Sequence, residues 1–332
     1  MEIYSPEYYH NFRCIAAACP DSCCKEWAVD VDPLTTQAYR SLPGDLGDRL
    51  RQVLQDTDNG TVMVIENGRC PMWRSDGLCR IQAELGHGAL CETCRNFPRL
   101  KHDYGTFMEL GLELSCPEAA RLILTSKDYG MQVESRPGGE TPDYDPEIMD
   151  ILRKSREETL SFLENTAFPL PQALAVILLR GHEIQAQIDG ADPFPFVPEA
   201  CLSLAKNYAK FGDLPEVFHF LRNLEILTDS WKQHLNETPD NIVWSQPLWG
   251  LARYMIQRYW LQAISDYDLV CRVKLAIIAC ITVGALGEDP IRIAQLFSKE
   301  IENNPDNLEA ILDGAYAAPA FTDINLLSLL LA

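Results

Sequence analysis

Apolar residues recur at helical spacing through the second half of the chain. In "EIMDILRKSREETLSFLEN" they fall at Ile148, Ile151, Leu152, Leu160 and Leu163, one face of a 3.6-residue period. "PQALAVILLRGHEIQAQI" follows, with a proline suited to a helix start. Further helices are predicted at about 197–211, 214–229, 246–264, 267–286 and 289–302. The run "LAIIACITVGAL", Leu275 to Leu286, is apolar on every side but too short to span a bilayer. It reads as a buried helix. No fixed-period repeat stands out.

The first half breaks this pattern. A helix is predicted around 34–55, interrupted at Pro43-Gly44, with a strand at "TVMVIE", Thr61 to Glu66. A second extended segment is predicted through Gly105 to Leu114. "SRPGGETPDYDPE", Ser135 to Glu147, has the prolines, glycines and acids of a linker. The expected fold class is mainly α. An irregular, cysteine-rich, metal-binding domain with few short strands spans 1–130, a linker 131–146, and an all-α domain 147–332.

The chain has 332 residues, 47% of them hydrophobic, which is a globular composition. "MEIYSPEYYH" contains Glu2 and Glu7 and no apolar run, unlike a signal or transit peptide. A soluble, cytoplasmic protein is therefore expected. The formal charge is −20. Such a chain repels nucleic acid and anionic membranes at long range and attracts basic partners. A solubilising acidic surface accounts for the same charge.

The twelve cysteines are unevenly placed. Cys201, Cys271 and Cys280 sit among apolar residues and read as core. The other nine precede residue 117: Cys14, Cys19, Cys23, Cys24, Cys70, Cys79, Cys91, Cys94 and Cys116. Disulfides suit exported chains, and nine is an odd number for a paired framework. Metal is the better expectation, and all nine are candidate ligands. Cys91 and Cys94 form a C-x2-C, whose short loop turns two thiolates toward one centre. Cys19 and Cys23 share a face if their segment is helical. Adjacent Cys23 and Cys24 would not easily hold one tetrahedral ion, but could serve different irons of a cluster. Zinc would ask for closed sets of four ligands, and a [4Fe–4S] cluster for four thiolates in all. From Arg69 to Lys101 there are six bases against three acids, a basic island in an acidic chain. Positive neighbours favour thiolate over thiol; the same arginines also suit a solvated face.

"CPMWRSDGLCRIQAELGHGALCETCRNFPR", Cys70 to Arg99, together with "FRCIAAACPDSCCKEW" and "LSCPEAARL", closely resembles the flagellin lysine-N-methylase family. It is also similar, more distantly, to small cysteine-rich proteins described as zinc- or iron-chelating. The shared pieces are Cys23-Cys24, Cys70-Pro71 and Cys94-Arg95-Asn96-Phe97-Pro98. The resemblance covers about residues 1 to 125. It implies methyl transfer from S-adenosylmethionine to lysine ε-amines of flagellin, or of another lysine-bearing protein. It also implies an iron–sulfur cluster, of the [4Fe–4S] kind, on the N-terminal cysteines. The sequence lacks the Gly-rich strand–turn–helix of Rossmann-type methyltransferases. It also lacks the C-x3-C-x2-C of radical S-adenosylmethionine enzymes, because position 26 is Glu26.

The cofactor contacts and the catalytic base are not identifiable from sequence. Candidates near the cysteines are His87, His102, Asp103, Tyr104 and Glu109. The alternative function is a non-enzymatic zinc- or iron-binding protein with a helical partner-binding domain. A redox sensor would need exposed, low-pKa thiols that cycle without metal.

Overall fold

A computed structural model describes every residue except Glu26, Trp27, Tyr129, Thr238, Glu288 and Ala332. Its first strand, β1 (Glu2–Pro6), lies inside a four-stranded sheet. A small second sheet joins β2 (Val29–Val31), β3 (Leu54–Thr57) and β4 (Gly60–Met63) in the order β2-β4-β3. The first sheet is completed by β5 (Arg99–Asp103), β6 (Phe107–Leu112) and β7 (Met131–Ser135), in the order β5-β6-β1-β7. β1 runs parallel to β6, with Ile3 opposite Met108, and antiparallel to β7, with Ile3 opposite Glu134. Parallel neighbours need a long crossover. Here the crossover is the cysteine-bearing stretch, so the topology folds that stretch out as a module on the sheet.

Helices α1 (Glu7–Asn11), α2 (Pro33–Ser41), α3 (Gly44–Val53), α4 (Arg80–Leu85), α5 (Glu92–Asn96) and α6 (Pro117–Thr125) belong to this half. The expected break at Pro43-Gly44 separates α2 from α3. Asp32 caps α2 by accepting the Thr35 amide at 2.9 Å. The expected strand at Thr61 to Glu66 is β4, shifted toward its glycine, and the second extended segment is β6.

The remainder is helical: α7 (Pro146–Asn165), α8 (Leu170–Ile188), α9 (Pro198–Tyr208), α10 (Leu214–Arg222) and α11 (Asp229–Asn236). Then follow α12 (Gln246–Tyr259), α13 (Val270–Leu286), α14 (Pro290–Phe297), α15 (Pro305–Ala317) and α16 (Asp323–Leu331). The molecule is mainly α, as expected. The apolar run falls in α13, which is buried almost throughout and packs against α8, α12, α14 and α15. No described helix is long and apolar enough to cross a membrane. Cys201, Cys271 and Cys280 are all buried in this half.

Two main hydrophobic cores result among the described residues, with a small third cluster of Val176, Cys201 and Leu202. The larger draws on the helices and also on Phe12, Phe107, Leu112 and Leu114 from the first half. Its contact between α6 and α12 needs Gly250: a Cβ there would lie 2.9 Å from the Leu124 Cα. The smaller core holds Val29, Val31, Leu50, Met63, Met72 and Ile81, with Cys70 and Cys91 beside them. The first 130 residues therefore contribute to both cores. β7 occupies the start of the expected linker, and the irregular segment is confined to 136–145.

Candidate functional site

All nine N-terminal cysteines are free thiols. Cys14 and Cys19 flank the 3-10 turn Ala16–Ala18. Cys24 and Cys70 are joined at the backbone, the Cys70 amide donating to the Cys24 carbonyl at 2.8 Å. Cys79, Cys91 and Cys116 each occupy the residue just before a helix, α4, α5 and α6 respectively. Amides of the first helical turn favour the thiolate form of these sulfurs.

The thiols also act on one another. The neighbouring Cys23 and then Cys70 thiols hold the Cys24 thiol well below its usual range. Cys23 and Cys70 are pushed up by the same neighbour and by burial. The Cys94 thiol beside it lowers Cys91, while Cys94 itself rises. Burial pushes Cys116 up to about 11 and raises Cys19 and Cys79. Cys94 feels the charges of Cys24 and Cys23, and Cys79 those of Cys24 and Cys91. Cys23 and Cys116 both feel Cys14. The nine thiols thus form two adjoining neighbourhoods: Cys24, Cys70, Cys79, Cys91 and Cys94 on one side, and Cys14, Cys19 and Cys116 on the other. Cys23 stands between them.

Among the described residues, no three His, Cys, Asp or Glu side chains are gathered closely enough to hold one metal ion.

The basic island does not converge on these sulfurs. Arg74 pairs with Asp76 and Arg80 with Glu84, both at 2.7 Å. Arg69 stacks over Trp73 and Arg99 over Phe12. The positive charge that favours a Cys19 thiolate is Lys25, outside the island.

The thiol module meets the helical half along a cleft. A small cavity of about 60 Å³ is lined by Asp21, Ser22, Cys23, Phe97, Ser115 and Asn303. It shares Asp21, Lys25, Leu227 and Lys299 with a hollow of about 860 Å³ between the module and α6, α11 and α14. Gln295 on α14 fixes this junction, donating to Asp21 at 3.0 Å and to the Ser115 carbonyl at 2.9 Å. Behind Ser115 lies Glu113, which accepts its hydroxyl at 3.1 Å and whose carboxyl is raised by burial. Deeper still, Arg258 lies 3.4 Å from Glu302, which also accepts the Tyr259 hydroxyl at 2.9 Å.

None of the five residues singled out near the cysteines lines this cleft. His87 is exposed on a 3-10 turn. His102, Asp103 and Tyr104 line a separate open hollow with Tyr144 and Gln262. Glu109 is buried and takes a bidentate bond from Arg156, which makes it a structural partner. The cleft residues Asp21, Lys232, Arg292 and Lys299 carry no local sequence signal. They come together only through the fold.

The chain is 32% identical over 141 residues to the flagellar biosynthetic protein FliU of Salmonella muenchen, covering 39% of this chain and 80% of that protein. It shares the same identity over the same length with proteins named lysine-N-methylase from Salmonella choleraesuis and Salmonella typhimurium. It spans only 34% of each of those two. No family model and no solved structure matches the chain. With four-fifths of the FliU protein matched and the lysine-N-methylases sharing the similarity, the chain belongs to the flagellin lysine-N-methylase family.

Proposed function

We propose that this chain is a protein-lysine N-methyltransferase that moves a methyl group from S-adenosylmethionine to lysines of flagellin, or of another lysine-bearing protein. The observation that carries this reading is the 32% identity shared with two proteins named lysine-N-methylase. In the reaction the neutral ε-amine attacks the sulfonium methyl. The C–N bond forms as the S–C bond breaks, and S-adenosylhomocysteine leaves. The lysine, an ammonium with a pKa of about 10.4 in water, must first lose a proton. In-line alignment of amine and methyl group then lowers the barrier through proximity.

The grouped thiols support the further reading that the module holds a [4Fe–4S] cluster. Four of Cys24, Cys70, Cys79, Cys91 and Cys94 would hold it, with Cys23 at the edge facing the cleft. Such a cluster would cross-link the loops of the module and add its binding energy to folding. Free thiols suit a reducing cytoplasm.

The test uses full-length chain purified without oxygen. It should contain iron and acid-labile sulfide, and should move label from methyl-tritiated S-adenosylmethionine onto flagellin. Zinc without sulfide would remove the cluster and leave the transferase. Metal-loaded protein that leaves flagellin unlabelled would favour the non-enzymatic metal-binding alternative.

A further inference from the structure

The cleft reverses the charge of the molecule around it. The chain carries −20 overall, yet Lys25, Arg121, Lys232, Arg292 and Lys299 line the hollow against Asp21, Asp229 and Asp289. Several of these are already committed. Asp21 holds Lys25 at 3.8 Å and Lys299 at 3.3 Å. Glu118 grips Arg121 through both oxygens. Asp289 caps α14 by accepting the Arg292 amide at 3.1 Å.

Two side-chain cations remain. Lys232 on α11 and Arg292 on α14 are exposed. Among the described residues neither has a carboxylate within ion-pair reach. The Arg292 guanidinium touches only the Ser230 hydroxyl, at 3.4 Å. Beside them lie apolar Ile226 and Ile291, with Leu227 39% exposed. The volume of about 860 Å³ lies within the usual range for small-molecule sites, and such sites favour domain junctions.

We propose that this cleft binds the methyl donor, with Arg292 and Lys232 taking the carboxylate of its amino-acid end and Asp229 its ammonium. The proposal rests on the methyltransferase reading and adds the place and the contacts. A guanidinium fork accepts a carboxylate through two parallel hydrogen bonds. The apolar residues suit the adenosine. The hollow continues into the small cavity at Cys23, so a donor anchored here occupies space contiguous with the thiol module.

The sign of a charge reversal decides the matter. S-adenosylmethionine carries a net positive charge. If Arg292 and Lys232 acted only through the general field, replacing either with Glu would tighten binding. Direct contact with the carboxylate requires the opposite. The experiment measures S-adenosylmethionine and S-adenosylhomocysteine binding by equilibrium dialysis, on anaerobic full-length chain. The variants are Arg292→Glu, Lys232→Glu and Arg292→Lys, with Lys206→Glu on α9 as a charge-matched control. All four substitutions are on exposed residues, and circular dichroism checks the fold.

Loss of a charge-assisted bond should weaken both ligands by about tenfold or more in each Glu variant. Arg292→Lys, which keeps the charge but loses the fork, should weaken binding less than Arg292→Glu, and Lys206→Glu should leave it unchanged. Unchanged or tighter binding in the Glu variants overturns the cleft assignment, while binding by the parent chain keeps the transferase reading. A parent chain that binds neither ligand removes both.

Discussion

At the scale of single residues, the two classes of cysteine separate by surroundings. Cys24 is lowered by two neighbouring thiols, whereas Cys280 is wholly buried in α13 among apolar neighbours. Cys24→Ala should lose iron and sulfide, and part of the fold with them, because a metal that organises a loop-rich module contributes its binding energy to folding. Cys280→Ala should keep full metal content and cost about 1 kcal/mol. Metal analysis and denaturant melts of the two variants check the division; equal metal loss would contradict it. His102 gives a pH signature. Burial lowers its pKa from the ordinary value near 6.5, so the unfolded chain takes up a proton that the folded chain resists. Stability should therefore be full above about pH 6.5 and fall as the pH drops below it. His102→Gln should flatten that part of the melting-temperature profile between about pH 7.5 and 5.5.

At the scale of elements, the tie between sheet and helices is the Glu109–Arg156 pair, which joins β6 to α7. Both side chains are about nine-tenths buried, and Arg156 also donates to the Gln257 carbonyl at 3.1 Å. Removing one partner leaves a buried charge uncompensated. Arg156→Met should destabilise by about 3–5 kcal/mol, and adding Glu109→Gln should restore much of the loss. Chemical denaturation of the single and double variants measures this. In the sequence Glu109 stands among possible catalytic groups because its partner lies 47 residues away and leaves no local mark.

The same reason governs what was legible elsewhere. α7, α8, α9 and α13 were readable, because each shows amphipathic spacing or an unbroken apolar run between turn signals. α11 and α16 were not. The first is short and polar, and the second, "DINLLSLLL", is too uniformly apolar to show a period. β1, β5 and β7 are half-polar strands whose pairing depends on partners distant in the chain. Cysteine spacing announced the thiol module, but the cleft beside it is assembled from segments between Pro20 and Lys299, and no local pattern encodes it.

At the scale of the whole molecule, the larger core crosses the boundary that composition suggests. Phe12, Phe107, Leu112 and Leu114 pack with the helices, so a fragment of residues 147–332 lacks part of its own interior. Expressed alone, it should bind a hydrophobic dye and melt without a sharp transition, whereas the full chain melts cooperatively. A fragment as cooperative as the full chain would show that the helical half stands by itself.

The central claim is lysine methylation, and intact-mass spectrometry of the substrate tests it most directly. Anaerobic full-length chain is incubated with S-adenosylmethionine and a flagellin from the same source. The account predicts mass increments of one methyl group or more, mapped by peptide sequencing to surface lysines. Their rate should rise toward alkaline pH as the neutral amine becomes available. Flagellin of unchanged mass, from protein shown to be metal-loaded and folded, would contradict it.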